Sequence, residues 1–553
     1  MAWGEWPGRV LPWLWTVCCP LGCLLAARKL IHWFQLESYQ FPGYFRTLRR
    51  MGPRAWIPGA VMAAGTFACF LMEKALLAAV PHGAGSEAFF LYPGCALWAA
   101  ALGWMLYRRA ARQPEKKKLV FTPRIKRLYG VCIAVWCLLC FLWQGLTYRM
   151  IPGEAELARL ALLCAFALAL PLWVALGGLL AWPIEKAISE MYFRDAQRIL
   201  REHPDLIRIG ITGSWGKTSV KFILGTLLSE RFPTLVTPAS FNTPMGVTKV
   251  IRTRLEPGHR VFVAEMGARH VGDIREMCRL VHPTIGLLTS VGPQHLDTFH
   301  TQERITRTKY ELIDAIPPDG SCFFADDDGI VTGLWEKTEK DKTLTGMDPD
   351  RDDVWAEELQ VSPRGSRFLL CHGEEKIPCE TELLGELNIR NILLCAGVCL
   401  KLGMTGKEIA RGIRKLRPVE HRLELKRNPG GITVLDDAFN SNIRGAEQAF
   451  RVLKEFPGKR IIITPGMVEL GERETEMNRR FGGMMADCCD EAVLVGRKRA
   501  EAIRAGLREK GFPERGIHTV GNLGEAAELL KTLAGAGDTL LFENDLPDNY
   551  SEE

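Results

Sequence analysis

The residues best suited to chemistry form a glycine-punctuated turn at 212–219, which reads Thr-Gly-Ser-Trp-Gly-Lys-Thr-Ser. A β-branched strand pattern precedes the turn, and a helical pattern follows it as far as Leu228. Glycine lets backbone N–H groups approach phosphate oxygens, and the start of a helix favours an anion. Lysine can reach the terminal phosphates and the threonine hydroxyl can ligate Mg²⁺. The turn therefore predicts a nucleotide-phosphate site formed by Gly213, Ser214, Gly216, Lys217, Thr218 and Ser219.

The segments that follow this turn resemble the Mur ligase family, and most closely its MurF type. The turn is similar to the family's phosphate loop, 237–246 looks like its second loop, and the likeness extends from about residue 205 to 530. Gly-Met-Val-Glu-Leu-Gly at 466–471 resembles the MurF pattern Gly-Asp-Met-x-Glu-Leu-Gly. The resemblance implies an enzyme that uses ATP and Mg²⁺ to phosphorylate a carboxyl group, after which an amine displaces the phosphate to form an amide.

The same resemblance assigns roles to three residues beyond the turn. Glu265, which ends a strand-like run, and His295, which follows another, take the positions of metal ligands alongside Thr218. Lys309 takes the position of a carbamylated lysine, whose anionic carbamate would help to position Mg²⁺ during phosphoryl transfer. Taken singly, these residues are more typical of a surface acid, a loop histidine and a solvated cation. The assignment therefore rests on their order after the phosphate loop.

Further nucleotide contacts are implied later in the chain. Asn388 and Asn391 begin an apolar-periodic helix and resemble the family's nucleotide-facing element, although Leu387 stands where histidine is usual. Asparagine is also a favoured N-cap, so helix capping stays open for the pair. Arg422 resembles the arginine that contacts phosphate at the domain junction, and Asp436 opens a segment like the family's Asp-Asp-x-Tyr-Asn-x-Asn-Pro. The catalytic residues implied by the resemblance are Lys217, Lys309, Glu265, His295 and Arg422.

Two α/β domains are expected to position these residues. Residues 185–417 are predicted to form a Mur ligase central ATP-binding domain. After residue 417 the sequence alternates between strand and helix patterns, which is typical of a parallel α/β sheet. Residues 418–553 are therefore predicted to form a Rossmann-like C-terminal α/β domain.

The first 184 residues have a different character, because apolar runs recur there, each near the ~20 residues that a helix needs to cross a bilayer. The runs lie at about 10–27, 55–80, 88–107, 128–147 and 156–182. They predict an α-helical membrane domain over 1–184 with about five spans. Basic linkers follow the first and third runs, and such linkers face the cytoplasm. The expected location is the cell membrane, with the α/β domains on its cytoplasmic side.

Charge and cysteine content narrow the function classes. Residues 1–182 hold nineteen Lys or Arg against seven Asp or Glu, and twelve of the fifteen Trp. Indole rings and basic linkers together are typical of bilayer interfaces, so this charge does not indicate nucleic-acid binding. Cys137 and Cys140 form the sole Cys-x-x-Cys pair of the sequence. Because the sequence has no second such pair, this one does not indicate a zinc site. Most of the seventeen Cys are typical of small apolar packing residues in a reducing compartment.

Two departures from the family concern the substrates. The apolar region stands where a MurF enzyme carries a soluble domain for the uridine diphosphate sugar, and Leu541–Pro547 stands where a Lys-Gly-Ser-Arg loop is usual. The expected reaction adds D-alanyl-D-alanine or a related amine to a peptidoglycan precursor peptide, with membrane lipid and cell-wall assembly proteins as further partners. Two alternatives stay open: a ligase for a poly-amino acid or lipid-linked wall precursor, and a non-catalytic nucleotide-binding scaffold.

Overall fold

The computed structural model describes residues 18–545 except for 80–87, 113–117, 148–151, 240, 295, 328, 428–429, 439–441, 469 and 471–472. The chain divides into two compact units, Met1–Ser189 and Glu190–Glu553. This division falls within one long helix, Leu170–Arg201. The predicted domain boundaries at 184/185 and 417/418 stay predictions.

The first unit is helical where it is described. Its helices are α1 (Arg28–Leu36), α2 (Phe41–Met51), α3 (Ile57–Ala79), α4 (Ala88–Arg112), α5 (Pro123–Thr147), α6 (Pro152–Leu168) and α7 (Leu170–Arg201), and a 3₁₀ turn lies at Gly52–Ala55. Buried side chains of this unit form an apolar cluster that extends from Cys19 to Ala175. Close contact between α3 and α6 depends on a small residue, since a Cβ at Gly59 would lie 2.2 Å from the carbonyl oxygen of Ala167. The helical prediction for this region is confirmed.

The prediction that these helices span a membrane has a different outcome. Among the described residues, no single helix has the length and hydropathy of a membrane span. Two bent pairs reach these criteria together: Phe41–Ala55 with Ile57–Met72, bent by 46°, and Leu160–Leu168 with Leu170–Arg201, bent by 80°. The prediction of five separate spans is therefore not supported.

The break between α6 and α7 has a local cause. Pro171 has no N–H to donate to the carbonyl oxygen of Ala167 in the preceding turn, so the hydrogen-bonding pattern of α6 cannot continue through it. Its carbonyl oxygen accepts a hydrogen bond from the hydroxyl of buried Tyr44 at 3.0 Å. The predicted fifth span, 156–182, is therefore two helices, and much of the predicted first span, 10–27, lies outside the described residues.

The second unit begins with a nine-stranded sheet. Its strands are β1 (Ile207–Thr212), β2 (Thr234–Val236), β3 (Val261–Glu265), β4 (Ile285–Leu288), β5 (Ser321–Ala325), β6 (Asp341–Gly346), β7 (Val354–Ser362), β8 (Gly365–His372) and β9 (Glu375–Thr381). The helices between and after them are α8 (Lys217–Leu228), α9 (Pro244–Arg254), α10 (Asp273–Val281), α11 (Leu296–Phe299), α12 (Gln302–Ala315), α13 (Ile330–Lys337), α14 (Glu386–Lys401) and α15 (Gly406–Arg414). The strand order is β2-β3-β1-β4-β5-β6-β7-β8-β9, parallel from β2 to β7 and antiparallel from β7 to β9.

The core of this sheet lies on both of its faces. Side chains along β3 alternate between two apolar clusters, with Val261 and Val263 in one and Phe262 and Ala264 in the other. Burial on both faces is typical of parallel strands covered by helices. Because β3 and β4 flank β1, the carboxyl ends of these three strands meet at one edge of the sheet, where open α/β sheets bind ligands.

A second sheet follows with six strands. Its elements are β10 (Glu424–Arg427), β11 (Thr433–Asp437), α16 (Ile443–Lys454), β12 (Arg460–Thr464), α17 (Glu474–Met485), β13 (Glu491–Val495), α18 (Ala500–Glu509), a 3₁₀ turn (Glu514–Gly516), β14 (Ile517–Val520), α19 (Leu523–Leu533) and β15 (Thr539–Glu543). The strand order is β10-β11-β15-β12-β13-β14, and all pairs but β10 with β11 are parallel. The α/β predictions for both later domains are confirmed.

Candidate active site

The predicted phosphate loop joins β1 to α8. Gly213 has φ +155° and Gly216 has φ +83°, in the left-handed region that favours glycine. A Cβ at Gly213 would lie 2.1 Å from Thr289 Oγ1, and one at Gly216 would lie 3.1 Å from Asn391 Oδ1. The path of the loop therefore requires both glycines.

Hydrogen bonds fix this loop to the segment after β4. The Ser214 N–H donates to the carbonyl oxygen of Ser290 at 2.9 Å, and Ser214 Oγ donates to that of Gly292 at 3.0 Å. The Trp215 N–H donates to Ser290 Oγ at 2.8 Å, and its indole packs on Gly292, where a Cβ would lie 2.4 Å from the ring. Ser214 therefore supports the loop in this conformation, and its contact with phosphate stays a prediction.

Lys217 begins α8 and folds back over the loop, with Ser219 in the same first turn. Its Nζ donates to the carbonyl oxygens of Gly213 at 2.7 Å and Ser214 at 3.0 Å. Burial lowers the pKa of Lys217 to about 8; the charge of Glu265 opposes this shift and that of Arg422 adds to it. The lysine is therefore a cation held over the loop below about pH 8.

Glu265 ends β3 as a fully buried carboxylate. Its Oε1 accepts hydrogen bonds from Thr218 Oγ1 at 3.1 Å and Asn242 Nδ2 at 3.0 Å, and its Oε2 accepts one from Lys221 Nζ at 2.9 Å. Burial acts to raise the pKa of Glu265, but Lys221, Lys217 and the Asn242 hydrogen bond outweigh it, so the pKa lies below its ordinary value. The predicted acid is therefore ionised and lies beside the phosphate loop.

Lys221 and Asn242 were not found from the sequence. A usable signal was present for Lys221, which lies one helical turn after Lys217 on the apolar face of α8 that includes Val220 and Leu224. A cation at a core position is rarely buried unless it is paired. Its partner could have been sought among the acids of neighbouring strands.

The described residues fit a magnesium site between Thr218 and Glu265. Adjacent oxygens around Mg²⁺, at bonds of about 2.1 Å and right angles, lie about 3.0 Å apart. Thr218 Oγ1 and Glu265 Oε1 are separated by 3.1 Å. Mg²⁺ commonly keeps several waters and takes phosphate oxygens as further ligands, so two protein oxygens suffice. The third predicted ligand, His295, lies outside the described residues.

Lys309 lies on α12 with 3% of its surface exposed. Among the described residues its Nζ has no hydrogen-bond or ion-pair partner. Burial lowers the pKa of Lys309 well below its ordinary value; the charge of Lys217 adds to this shift and Asp273 opposes it. A neutral amine is the form that reacts with CO₂, so this setting fits the predicted carbamate.

The two predicted asparagines of α14 have different surroundings. Asn391 is buried and its Oδ1 faces Gly216 in the phosphate loop. Asn388 Nδ2 instead donates to the carbonyl oxygen of Leu384 at 2.8 Å. The N-cap position belongs to Gly385, so neither asparagine caps the helix. The structure therefore brings Asn391, and not Asn388, to the loop.

Asp436 on β11 is engaged within its own domain. Its Oδ2 lies 2.8 Å from His421 Nδ1 and 2.7 Å from Lys426 Nζ. Burial acts to raise the pKa of Asp436, but the hydrogen bonds from Lys426 and His421 outweigh it and lower the pKa. These contacts direct Asp436 Oδ2 to His421 and to Lys426 on β10, and its predicted nucleotide contact stays a prediction.

Its neighbour Asp437 lies beside Arg422. Successive side chains of a strand point to opposite faces, which separates Asp437 from Asp436. Asp437 Oδ1 accepts a hydrogen bond from the Leu423 N–H at 3.0 Å, and burial raises the pKa of Asp437 to about 6 against the charge of Arg422. Arg422 also acts electrostatically on Lys217 and Glu265. The charge of Arg422, from the second domain, therefore acts on Lys217 of the phosphate loop, and its contact with phosphate stays a prediction.

Among the described residues, Trp215 borders two cavities beside the loop. The first, which we call the nucleotide cleft, measures about 390 Å³ and is lined among others by Thr289, Asp327, Arg390, Asn391, Arg444 and Arg451. The second, which we call the substrate cleft, measures about 360 Å³ and is lined among others by Gln294, Asn442, Met467, Arg473, Met477 and Asn544. Both clefts have walls from the two α/β domains.

A glycine-rich loop between a parallel strand and a helix, completed by a second parallel α/β domain, defines a phosphate-loop nucleotide-binding protein. Residues 211–399 match the model of the Mur ligase middle domain, and residues 421–543 match that of the Mur ligase glutamate ligase domain. Together these matches cover more than half of the chain, which therefore belongs to the Mur ligase family.

Individual relatives are of the MurF type. A UDP-N-acetylmuramoyl-tripeptide--D-alanyl-D-alanine ligase of Mycobacterium bovis is 30% identical over 283 residues, which are 50% of this chain and 55% of the relative. A crystal structure of MurF from Acinetobacter baumannii is 25% identical with a TM-score of 0.58, covering 65% of this chain and 78% of that one. MurF ligase from Thermotoga maritima in complex with ADP shares the fold at 24% identity and a TM-score of 0.58, covering 65% of this chain and 80% of that one. The chain thus spans about half the length of the first of these relatives.

We predict that Lys217→Met weakens ADP binding roughly tenfold to a hundredfold, because charge-assisted hydrogen bonds contribute about 1.5–3 kcal/mol. Phosphate binds the cationic form, and the free lysine loses its charge as pH rises through about 8. ADP affinity of the unaltered protein should therefore fall above that pH, and the variant should lack this fall. Calorimetric titrations across the range measure both effects. Lys407→Met, at an exposed position of α15, is the matched control. Equal ADP affinity of Lys217→Met and the control would show that Lys217 is not part of the nucleotide site.

Lys309→Ala tests the carbamate. With ¹³C-labelled bicarbonate, the unaltered protein should gain a carbamate carbon signal by nuclear magnetic resonance that the variant lacks. The variant should lose ATP turnover, and short carboxylic acids should restore part of it by refilling the anionic position. Full turnover by Lys309→Ala without an added acid would contradict the role.

Proposed function

We propose that this chain is an ATP- and Mg²⁺-dependent ligase that joins a carboxylate to an amine through an acyl phosphate. The observation that carries the proposal is the placement of Lys217 on the phosphate loop, beside the Thr218–Glu265 pair. Arg422 adds a positive charge from the second domain. These are the charges that a nucleotide and an acceptor carboxylate need in order to approach one another.

In the first step a carboxylate oxygen of the acceptor attacks the γ-phosphorus of ATP, and the bond from that phosphorus to the ADP oxygen breaks. In the second, the amine attacks the acyl carbon, loses a proton and expels inorganic phosphate with the former carboxylate oxygen. Lys217 and Arg422 would hold the anionic groups in place and reduce their repulsion. Bound Mg²⁺, held by Thr218 and Glu265, would neutralise charge on the transferred phosphoryl group.

The acceptor we propose is a peptidoglycan precursor peptide, and the amine is D-alanyl-D-alanine or a related compound. The names of the MurF-type relatives support this choice. The substrate cleft has apolar walls from Met467 and Met477 with Arg473 nearby, which suits a small dipeptide carrying a carboxylate. Its position next to Trp215 places it beside the phosphate loop.

We also propose that the first unit is embedded in the cell membrane, with the α/β domains cytoplasmic. Long apolar side chains outside its packed core support this, such as Leu97 at 63% exposure and Leu157 at 61%. The exposed arginines of α2 and the turn after it lie directly before the apolar helix α3; they are Arg46, Arg49, Arg50 and Arg54. Each basic residue near an anionic leaflet contributes about 1 kcal/mol to membrane attraction.

This membrane unit favours a second candidate, a ligase for a poly-amino acid or lipid-linked wall precursor. Tethering would raise the local concentration of such an acceptor around the active site. A non-catalytic nucleotide-binding scaffold is less well supported, because it would not need a buried lysine at position 309 whose pKa is lowered by burial and by the charge of Lys217.

Removal of the first unit separates the two acceptors. A truncated protein starting at Met191 should bind ADP as tightly as the full chain, because the residues of the proposed site all lie after 205. If the acceptor is lipid-linked, the truncated protein should lose turnover on it. ATP consumption by both proteins is measured with soluble uridine-diphosphate peptide and with lipid-linked peptide, each with and without D-alanyl-D-alanine. Equal use of the soluble acceptor by both, with no use of the lipid form, favours the ordinary MurF reaction. No turnover with any acceptor, despite ADP binding, would favour the scaffold.

A further inference from the structure

Lys221 is a fully buried lysine one helical turn after Lys217, with none of its surface exposed. Its Nζ donates to Glu265 Oε2 at 2.9 Å and to the carbonyl oxygen of Ala239. Burying an ammonium group is costly unless it is paired and hydrogen-bonded. An apolar side chain would fill this part of α8 at a lower cost in free energy. A lysine here therefore indicates that its charge has a role.

The contacts of Glu265 indicate that use. Lys221 engages Oε2 alone, whereas Thr218 and Asn242 engage Oε1. Because Lys221 holds one of its two oxygens, the carboxylate cannot rotate freely about its terminal bond. Lys221 therefore keeps Oε1 directed at Thr218 and the phosphate loop, where the two oxygens have the spacing of adjacent magnesium ligands.

Lys221 also fixes the loop that supplies Asn242. Ala239 in this loop has φ +43°, a backbone conformation that residues with a Cβ rarely adopt. Its carbonyl oxygen accepts from Lys221, and the carbonyl oxygen of Asn242 accepts from the Gly267 N–H at 2.8 Å. One ammonium group thus joins α8, the end of β3 and the 237–246 loop.

We propose that Lys221 is a positioning residue for the metal–nucleotide centre, acting through Glu265 and not by contact with substrate. The proposal rests on the proposed function, because it assumes that Thr218 and Glu265 hold a divalent cation with the nucleotide. Groups that orient a metal ligand typically change metal affinity about 10–100-fold when removed. Lys221 should have an effect of this size on the metal and a small effect on the nucleotide without metal.

The test is a double-mutant cycle on the full-length protein, with ADP binding measured by calorimetry over a Mg²⁺ titration and in chelator. Lys221→Met should raise the Mg²⁺ concentration for half-maximal ADP binding by about 10–100-fold and leave binding in chelator unchanged. Glu265→Gln should have a similar effect. The double variant should be no worse than Glu265→Gln alone, because Lys221 acts through that carboxylate. Lys407→Met, an exposed lysine-to-methionine change, should match the unaltered protein.

Unchanged Mg²⁺ dependence in Lys221→Met would overturn the proposal, and so would additive effects in the double variant. If Lys221→Met fails to fold because Glu265 has lost its cation, the double variant is used instead, since it carries neither charge. Its Mg²⁺ dependence is then compared with that of Glu265→Gln. Equal Mg²⁺ dependence of these two variants supports the positioning role of Lys221. A higher Mg²⁺ concentration for half-maximal ADP binding in the double variant refutes it. Failure of the unaltered protein to bind ADP more tightly with Mg²⁺ would instead overturn the proposed function itself.

Discussion

The arrangement of the active site depends on one buried carboxylate, that of Glu265. A charge removed from water must be paired and hydrogen-bonded, and here three partners come from two places in the chain. Thr218 and Lys221 lie on α8, and Asn242 lies on the 237–246 loop. The carboxylate is therefore satisfied when β3, the phosphate loop and the second loop are all in position. This requirement couples the folding of the core to the geometry of the nucleotide site.

Sheet topology makes this convergence possible. With β3 and β4 on either side of β1, the chain returns twice to the carboxyl end of the same central strand. The loop after β1 can then contact both neighbours, provided that its backbone approaches closely. Gly213 lies against Thr289 and Gly216 against Asn391, so a side chain at either position would separate the parts of the site.

Much of this could be predicted from the sequence, because a phosphate loop and alternating strand and helix patterns are local signals. Contacts between residues that are far apart in the sequence were harder to predict. Glu265 was identified by family order, but its dependence on Lys221 is visible once the strands are neighbours. Nor could the sequence decide which of Asp436 and Asp437 faces Arg422, because a shift of one residue along a strand reverses the face. The length of the apolar runs also did not show whether these helices span a membrane, because a packed helix and a lipid-facing helix have similar composition. Nor did the length show the break before Pro171.

The proposed chemistry is tested most directly by following an oxygen atom. The acceptor peptide would be prepared with ¹⁸O in its terminal carboxylate and incubated with the full-length protein, ATP, Mg²⁺ and D-alanyl-D-alanine. Reaction through an acyl phosphate transfers one carboxylate oxygen to each phosphate released, so mass spectrometry should find one ¹⁸O per inorganic phosphate. Phosphate that carries solvent oxygen and no label would show that water, and not the acceptor, attacks ATP, and would contradict ligation by this route.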